Sequence, residues 1–393
     1  MKLSDIALYI HIPYCVQKCY YCDFASYANS EATIDVYIEA LENELIELTK
    51  VAPEISARTI FIGGGTPTVL NANQLQRLFK ILYKYINLEH AIEFTIEANP
   101  GTITVDKLAV LKSNKINRIS LGVQSFQEQE LQALGRIHNV NTVYETIALL
   151  KANGFNNINL DLMYGLPHQT IESWMNTLKA AISLKPTHIS MYNLKIEEHT
   201  SFYQQYDRGT LLLPDEDEVI SMYQLGRDTL SNNGYLHYEI SNFSKDNYQS
   251  EHNLVYWNNH NYLGLGSSAW SNIANIRYHN PLPIAKYIDL YKSKRANTKK
   301  KISWHNYLMA KQDVQINSLQ NQIEDHIMLG LRKVEGISVD DFNKRFYTDF
   351  DELYCKQLKI LIHKQLLEKS NSKYRLTNKG LLLANEAIEA FFK

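Results

Sequence analysis

Short apolar runs alternate with amphipathic stretches through the first half of the chain. Between the runs, apolar residues recur at i, i+3, i+4 and i+7, as they do from Ile34 to Leu48, and this spacing is typical of a helix with one buried face. Strands that alternate with such helices indicate βαβ units and a parallel sheet. The runs predict six strands, at residues 7–13, 59–62, 92–98, 118–123, 158–163 and 188–194.

The number of units limits the architecture. Six strand–helix units are too few to close the eight-stranded (β/α) barrel known as the TIM barrel. The sequence therefore predicts the α/β class, with an open, partial (β/α)6 TIM-like barrel. Because the polar and glycine-rich motifs each follow a strand, they are expected to meet at the C-terminal face of the barrel, where such folds build their sites.

The chain changes character after the barrel. A stretch rich in aromatic side chains and asparagine is predicted to be irregular from His237 to Tyr278, and the basic segment KSKRANTKKK is predicted to be a linker. The last part predicts helices, a hairpin and a final helix from Gly380, as in a smaller, winged-helix-like α+β domain. The predicted divisions are the barrel core at residues 1–235, the aromatic-rich segment at 236–291, the linker at 292–301 and the C-terminal domain at 302–393.

Composition and charge narrow the functional class. The 393 residues are 45% hydrophobic and 21% charged, so a large packed core is available. A net charge of −2 gives no reason to expect binding to nucleic acid. No apolar run is long enough for a membrane-spanning helix, and the N-terminus lacks the apolar region of a signal peptide. The protein is therefore expected to be cytoplasmic, with reduced cysteines.

Three of the four cysteines lie in one short loop. Cys15, Cys19 and Cys22 have the spacing C-x3-C-x2-C, and an odd number in so short a loop cannot form a disulfide framework. Their thiolates can hold three corners of a [4Fe–4S] cubane and leave the fourth iron without a protein ligand. A structural zinc loop is the alternative, although zinc usually takes four nitrogen or sulfur ligands. Cys355 lies far along the chain and is expected to be a free, buried thiol.

A series of motifs extends from Tyr9 to Trp257. They are, in order, YIHIPYCVQKCYYCDF, FIGGGTPT, EANPG, ISLGVQSF, LGRIH, LDLMYGLP and HNLVYW. With these motifs the chain resembles the HemN/HemW family of radical S-adenosylmethionine (SAM) proteins. The resemblance implies a [4Fe–4S] cluster on the three cysteines, with SAM bound to the open iron and cleaved to a 5′-deoxyadenosyl radical.

The resemblance also implies a set of SAM-binding residues. The glycines that follow the second predicted strand lack Cβ atoms, so the backbone can approach a ligand closely. No G-K-[ST] follows them, which argues against a phosphate loop. The alternatives are aromatic packing for the tyrosines and structural hydrogen bonds inside the barrel for the polar residues. The implied set is Tyr9, Tyr21, Gly64, Gly65, Thr66, Glu97, Gln124, Arg136 and Asp161.

The family contains oxygen-independent coproporphyrinogen III oxidases and haem chaperones, and three features favour the chaperone branch. Phe24 stands where the oxidases carry a further cysteine, and the N-terminal extension of the oxidases is not expected here. The stretch HNLVYW fits the haem-associated H-N-x-x-Y-W motif, so His252 is a candidate axial ligand of haem iron. The alternative for His252 is core packing, with four unassigned histidines as other ligands: His11, His138, His188 and His237.

The resemblance therefore implies a chaperone that binds haem and transfers it to an acceptor protein. The sequence does not identify that acceptor, and a membrane-associated one is among the candidates. A flavodoxin-type protein is the implied reductant of the cluster. Coproporphyrinogen III oxidation to protoporphyrinogen IX is the enzymatic alternative, and radical chemistry on another tetrapyrrole or an unrelated substrate is a third. No catalytic residue is assigned.

Overall fold

The computed structural model describes residues 2–292 and 302–392. Short 3-10 helices lie at Glu31–Thr33 and Pro67–Val69. The strands are β1 (Lys2–Ile12), β2 (Tyr14–Cys15), β3 (Tyr27–Ala28), β4 (Glu54–Gly64), β5 (Glu93–Ala98), β6 (Arg118–Gln124), β7 (Ile158–Tyr164), β8 (His188–Asn193), β9 (Leu236–Glu239), β10 (Asn242–Ser244), β11 (Tyr262–Leu265), β12 (Trp270–Ile273), β13 (Ile276–His279), β14 (Gln312–Ile316), β15 (Ile337–Ser338), β16 (Leu367–Ser370) and β17 (Lys373–Leu376).

The helices fall between these strands and in the C-terminal part. They are α1 (Ile34–Val51), α2 (Ala72–Tyr85), α3 (Val105–Ser113), α4 (Glu128–Ala133), α5 (Val140–Ala152), α6 (Ile171–Ser183), α7 (Ser201–Asp207), α8 (Glu216–Asn232), α9 (Glu251–Trp257), α10 (Ile284–Lys292), α11 (Trp304–Leu308), α12 (Leu319–Gly330), α13 (Val339–Phe346), α14 (Phe350–Leu353), α15 (Cys355–His363), α16 (Asn378–Leu382) and α17 (Ala384–Glu389).

The six predicted strands are confirmed as β1 and β4 to β8, which pair in parallel in that order. Helices follow each of them, so the architecture is the predicted partial (β/α) barrel. Every residue of β6 is buried, as expected for a parallel strand that is covered on both faces. The apolar face of α1 is likewise buried against the sheet, which explains its i, i+3, i+4 pattern.

The prediction of irregular structure between His237 and Tyr278 is wrong. That stretch contains α9 and the strands β9 to β12 together with most of β13. The strand β11 pairs in parallel with β1, so it adds a seventh parallel strand beside the first. Then β12, β13 and β14 extend the sheet in antiparallel pairs, while β10 and β9 extend the other edge next to β8. Among the described residues, twelve strands thus form one sheet.

A smaller domain follows the sheet and has its own hydrophobic core. It contains α12 to α17 and the three strands β15, β17 and β16, and the predicted hairpin is confirmed as the antiparallel pair β16–β17. Main-chain hydrogen bonds join it to the barrel, because Ile240 N–H donates to Arg332 O and Val334 N–H donates to Tyr238 O. The predicted linker lies outside the described residues, except for Lys292 at the end of α10.

The fourth cysteine differs from its prediction. Cys355 is a free thiol, as expected, but it is exposed at the start of α15 rather than buried. The buried positions of α15 are Leu358 and Leu361, so the helix turns its first residue away from the core.

A buried ion pair fastens α1 to the antiparallel extension of the sheet. Lys311 Nζ lies 2.7 Å from Glu44 Oε1, and neither side chain is exposed to solvent. The other carboxylate oxygen of Glu44 accepts hydrogen bonds from Gly266 N–H (2.9 Å) and Tyr287 Oη–H (2.7 Å). Every group in this cluster is therefore paired, which is the condition for burying charge at a tolerable cost.

Within the described residues, no helix is long and apolar enough to cross a membrane.

Candidate functional site

The cysteine loop leaves the C-terminal end of β1 and is fixed at both of its ends. Tyr14 and Cys15 of β2 pair with Tyr27 and Ala28 of β3, which closes the loop between them. The three cysteines are half-buried free thiols. Their side chains line one cavity of about 130 Å³ at the mouth of the barrel. The two-stranded pair therefore presents the loop over the ends of the parallel strands.

Each thiol of this loop has a polar neighbour from the protein. Arg136 Nη1–H donates to Cys19 Sγ at 3.4 Å, and the Thr66 hydroxyl donates to Cys15 Sγ at 3.7 Å. Ser26 Oγ lies 3.9 Å from Cys22 Sγ. Hydrogen bonds to cysteine sulfur stabilise ligating thiolates and tune iron–sulfur clusters. The donor set therefore fits a thiolate-bound cluster.

The spacing of the thiols separates a cluster from a single ion. Among the described residues, no group of three or more His, Cys, Asp or Glu side chains surrounds one point closely enough to ligate one metal ion. The ligands of a cubane bind three different irons and stand farther apart than the ligands of one ion. Among the described residues, Cys15, Cys19 and Cys22 are thus not arranged as the ligands of a single ion.

The glycine loop after β4 forms one wall of the same cavity. Gly64 has a φ of +119°, and a Cβ there would lie 2.7 Å from the ring of His11. A Cβ on Gly65 would lie 2.5 Å from Tyr14 O and 2.9 Å from Cys15 Sγ. Neither position can accept a side chain without moving the neighbouring atoms, and both glycines line the cavity.

Two half-buried carboxylates, those of Glu97 and Asp161, line the cavity. Glu97 Oε2 accepts a hydrogen bond from Gly64 N–H at 3.0 Å, and burial together with the nearby Asp161 raises the pKa of Glu97 to about 8. Burial also raises the pKa of Asp161, whose oxygens accept from Ser120 Oγ–H (3.2 Å) and Asn159 Nδ2–H (2.9 Å). Both groups can therefore accept hydrogen bonds from a polar ligand in the cavity, and Glu97 can also carry a proton at neutral pH.

The remaining wall of the cavity comes from the end of β6 and the segment that follows it. Arg136 Nη2–H donates to Asn99 Oδ1 (2.6 Å) and to Gly122 O (2.5 Å), which holds the guanidinium beside Cys19. Gln124 ends β6 with a φ of +68°, so its backbone turns at the cavity. Sequence reasoning missed Asn99, although the EANPG motif contains it; its amide also donates to Thr66 Oγ1 at 2.8 Å.

The structure brings together eight of the nine residues implied for SAM binding, and Tyr9 is the exception. Tyr9 lines a second, more open pocket of about 590 Å³ that adjoins the first. Gly64 and Glu97 border both spaces, and Phe24 lies at the rim of both. The Phe24 side chain is 64% exposed. The eight residues in the first cavity are Tyr21, Gly64, Gly65, Thr66, Glu97, Gln124, Arg136 and Asp161.

The open pocket has an aromatic and apolar wall with one cation. Trp270 and Leu282 expose 41% and 38% of their surfaces, and the guanidinium carbon of Arg277 lies 5.1 Å from the centre of the Trp270 ring. Both residues of that pair come from the hairpin β12–β13. Sequence reasoning missed them because this hairpin turns at Ala274 and Asn275, both with positive φ, without an Asn-Gly or Asp-Gly signal.

His252 does not join either space. It is 1% exposed, and its ring nitrogens lie 2.9 Å from Thr59 Oγ1 and 3.0 Å from Tyr256 Oη. Its ring also packs against Phe61 of β4, with ring centres 5.3 Å apart. The prediction of His252 as the axial haem ligand therefore meets a geometric obstacle, because both nitrogens are already used inside the barrel. Tyr256, four residues on, does line the open pocket.

The other candidate histidines are also engaged. The ring nitrogens of His11 lie 2.9 Å from Tyr9 Oη and 2.9 Å from Ala25 O. His188 is fully buried between Asn159 Oδ1 (2.6 Å) and Tyr238 Oη (2.8 Å). Burial lowers the pKa of His138 to about 4 and that of His237 to about 4, so both are neutral at physiological pH. Neither of these two lines the open pocket.

A larger depression, of about 700 Å³, lies at the opposite end of the barrel around Lys2, Glu54 and Tyr83. It contains no cysteine and none of the glycine loop. We therefore place the candidate site at the cysteine end, where the chemistry-bearing residues converge.

Comparison with known proteins agrees with this geometry. Residues 9–181 match the radical SAM superfamily, and residues 317–383 match the HemN C-terminal domain. The coproporphyrinogen III oxidase HemN of Escherichia coli, a radical SAM enzyme, superimposes with a TM-score of 0.83 over 98% of this chain and 90% of its own. At 24% sequence identity this likeness shows the fold alone. The fold and the cysteine loop thus define a radical SAM protein, a class whose cofactors are a [4Fe–4S] cluster and SAM.

Relatives that align over nearly their full length identify the family within this class. The heme chaperone HemW of Lactococcus lactis is 41% identical over 98% of this chain and 96% of its own length. The protein of the same name from Bacillus subtilis is 37% identical over 98% of each chain. The chain belongs to the HemW family.

Proposed function

We propose that this protein binds haem and passes it to an acceptor protein, and that it does so with a [4Fe–4S] cluster and SAM in the adjoining cavity. Relatives named as haem chaperones align along 98% of this chain. The observation that carries the proposal is the open pocket beside the cysteine cavity. Its volume of about 590 Å³ falls in the range of small-molecule and cofactor sites.

The chemistry of the pocket suits a porphyrin. Haem has two broad apolar faces and two propionate groups on one edge. Trp270, Phe24 and Leu282 offer exposed apolar surface, which in a free protein is costly unless a ligand covers it. The Arg277 guanidinium can pair with a carboxylate through two parallel hydrogen bonds. We therefore propose that the apolar side chains contact the ring and that Arg277 holds a propionate.

The neighbouring cavity would hold the other two cofactors. We propose that Cys15, Cys19 and Cys22 bind the cluster, with Arg136, Thr66 and Ser26 as hydrogen-bonding neighbours of their sulfurs. The cluster, when reduced, supplies the electron that cleaves SAM in this class. The backbone of Gly64 and Gly65 and the carboxylates of Glu97 and Asp161 would orient SAM through its polar groups.

The proposal is tested on the anaerobically reconstituted full-length chain. Haemin titration should show saturable binding, and Arg277→Gln should weaken that binding about tenfold, which corresponds to about 1.4 kcal/mol. The control is Arg77→Gln, since Arg77 is a partly exposed residue of α2 that pairs with Asp35 away from the pocket. Loaded protein should then give up haem to apomyoglobin, which serves as a stand-in acceptor.

The same sample also tests the enzymatic alternative. With SAM, a reductant and coproporphyrinogen III, the chaperone proposal expects no protoporphyrinogen IX. Formation of that product would favour the oxidase. Absence of saturable haemin binding by the unmodified chain would contradict the chaperone proposal directly.

A further inference from the structure

The histidine and the tyrosine of the H-N-x-x-Y-W helix contact each other, but only the tyrosine lines the open pocket. His252 lies inside the barrel, with one ring nitrogen beside Thr59 Oγ1 and the other beside Tyr256 Oη. To ligate haem iron, His252 would have to give up at least one of these hydrogen bonds, and its ring would have to leave a close-packed site between Phe61 and Tyr256. Tyr256 is partly exposed, and it lines the open pocket on which the proposed function rests.

A phenol can be both an iron ligand and a hydrogen-bond partner. Tyrosine is an established axial ligand of haem iron, and its oxygen has two lone pairs. The oxygen of Tyr256 can therefore coordinate iron in the pocket while it keeps its contact with His252. The histidine loses nothing in this arrangement, since both of its hydrogen bonds survive.

We infer that Tyr256, and not His252, is the axial ligand of ferric haem, with His252 as its positioning residue. On coordination an iron–oxygen bond forms and the phenol O–H bond breaks, and one proton is released to solvent through the open pocket. The imidazole stays neutral, because burial and Arg118 lower the pKa of His252 to about 3. It then donates Nε2–H to the phenolate and accepts the Thr59 hydroxyl proton at Nδ1.

A second tyrosine–histidine pair lines the same pocket, but it is less suitable. Tyr9 Oη lies 2.9 Å from His11 Nδ1. A phenolate at Tyr9 would sit near Glu97. Burial is the largest cause that raises the pKa of Tyr9, and the Glu97 carboxylate is the second largest. Burial is also the largest cause that raises the pKa of Tyr256. The second cause there is Tyr262, which is a neutral phenol at physiological pH. Where Glu97 is deprotonated, the developing negative charge therefore meets less repulsion at Tyr256.

The test is haemin titration of the full-length chain, followed by absorption and resonance Raman spectroscopy. The unmodified chain should show a phenolate-to-iron charge-transfer band and an iron–phenolate stretch. Tyr256→Phe, which removes a single oxygen, should abolish both signals and weaken haemin binding at least tenfold. Tyr9→Phe and Tyr262→Phe remove the other two phenols of the pocket, and both should keep the phenolate signals. Near-ultraviolet circular dichroism and iron content show whether each variant is folded and cluster-loaded.

The histidine gives an independent readout. His252→Ala should keep the charge-transfer band but shift the iron–phenolate stretch, and added imidazole should move the stretch back. An imidazole-type spectrum that is lost in His252→Ala and kept in Tyr256→Phe would overturn the inference. Loss of the phenolate signals in Tyr9→Phe alone would transfer the ligand to Tyr9 and also overturn it. These results differ from failure of the proposed function, in which the unmodified chain binds no haemin.

Discussion

The buried pair of Lys311 and Glu44 permits a quantitative prediction. In Lys311→Met, a side chain of similar length removes the ammonium and leaves the carboxylate of Glu44 buried without its cation. Breaking a buried ion pair in this way costs about 3–5 kcal/mol, because the remaining charge is neither hydrated nor paired. Both side chains are 0% exposed, so the upper part of that range is expected.

The structure supplies a matched control for this substitution. Lys84 pairs with Glu42 at 2.9 Å, but these side chains are 57% and 28% exposed. Lys84→Met should therefore cost less than about 1 kcal/mol, as is usual for a surface pair. Adding Glu44→Gln to Lys311→Met should recover part of the loss, because the amide oxygen can still accept from Gly266 N–H and Tyr287 Oη–H.

Urea unfolding monitored by tryptophan fluorescence is the suitable assay. The four tryptophans lie in the barrel and the elements packed on it, so the signal reports mainly the barrel, although the Trp257 ring also lies 5.5 Å from the guanidinium carbon of Arg332. The pair also fastens the strands that carry Trp270 and Arg277, so Lys311→Met should weaken haemin binding as well. Equal urea midpoints for Lys311→Met and Lys84→Met would refute the reasoning.

Three further predictions concern the cluster, SAM and pH. Cys19→Ser should lower the iron content after anaerobic reconstitution from about four per chain, whereas Cys355→Ser should leave it unchanged; iron loss in the second variant would contradict the assignment. Gly64→Ala should weaken SAM binding at least tenfold by calorimetry, while Gly234→Ala, at another positive-φ glycine in an exposed turn, should not; equal affinities would argue against the loop. Burial raises the pKa of Glu239 from 4.5 to about 7, so the folded state keeps a proton that the unfolded state has lost, and stability falls as pH rises through this window. Glu239→Gln should remove on the order of 2–3 kcal/mol of that fall between pH 5 and pH 8 in urea titrations, and identical pH profiles would count against it.

The parallel strands and the cysteine loop were predictable because their signals are local. The strand β6 is an uninterrupted buried run, and Cys15, Cys19 and Cys22 need only their spacing to suggest a cluster. The start of β1 was missed because Ser4 and Asp5 interrupt its apolar pattern, and the register with β4 shifts at that point.

The predictions that were wrong or missing concern features that depend on contacts between residues far apart in the sequence. The strand β11 is four residues long, and its identity comes from pairing with β1. The motif HNLVYW was expected in irregular structure but lies on α9, and packing against Phe61 and Thr59 turns His252 inward. Exposure of Cys355 is likewise set by which face of α15 meets the C-terminal core. Trp270 and Arg277 become a pair only when their hairpin closes.

The pairing of β1 with β11 also has a consequence for synthesis on the ribosome. Residues 7–10 lie beside residues 262–265, so the first strand lacks one neighbour until the chain has been made past that point. At roughly 5–20 residues per second, this delay is on the order of tens of seconds. During that time the cysteine loop is attached to a strand with an open edge, and long-range pairing of this kind is slow to form. The strand that carries the cysteine loop is therefore translated first but is among the last of the parallel strands to gain both of its neighbours.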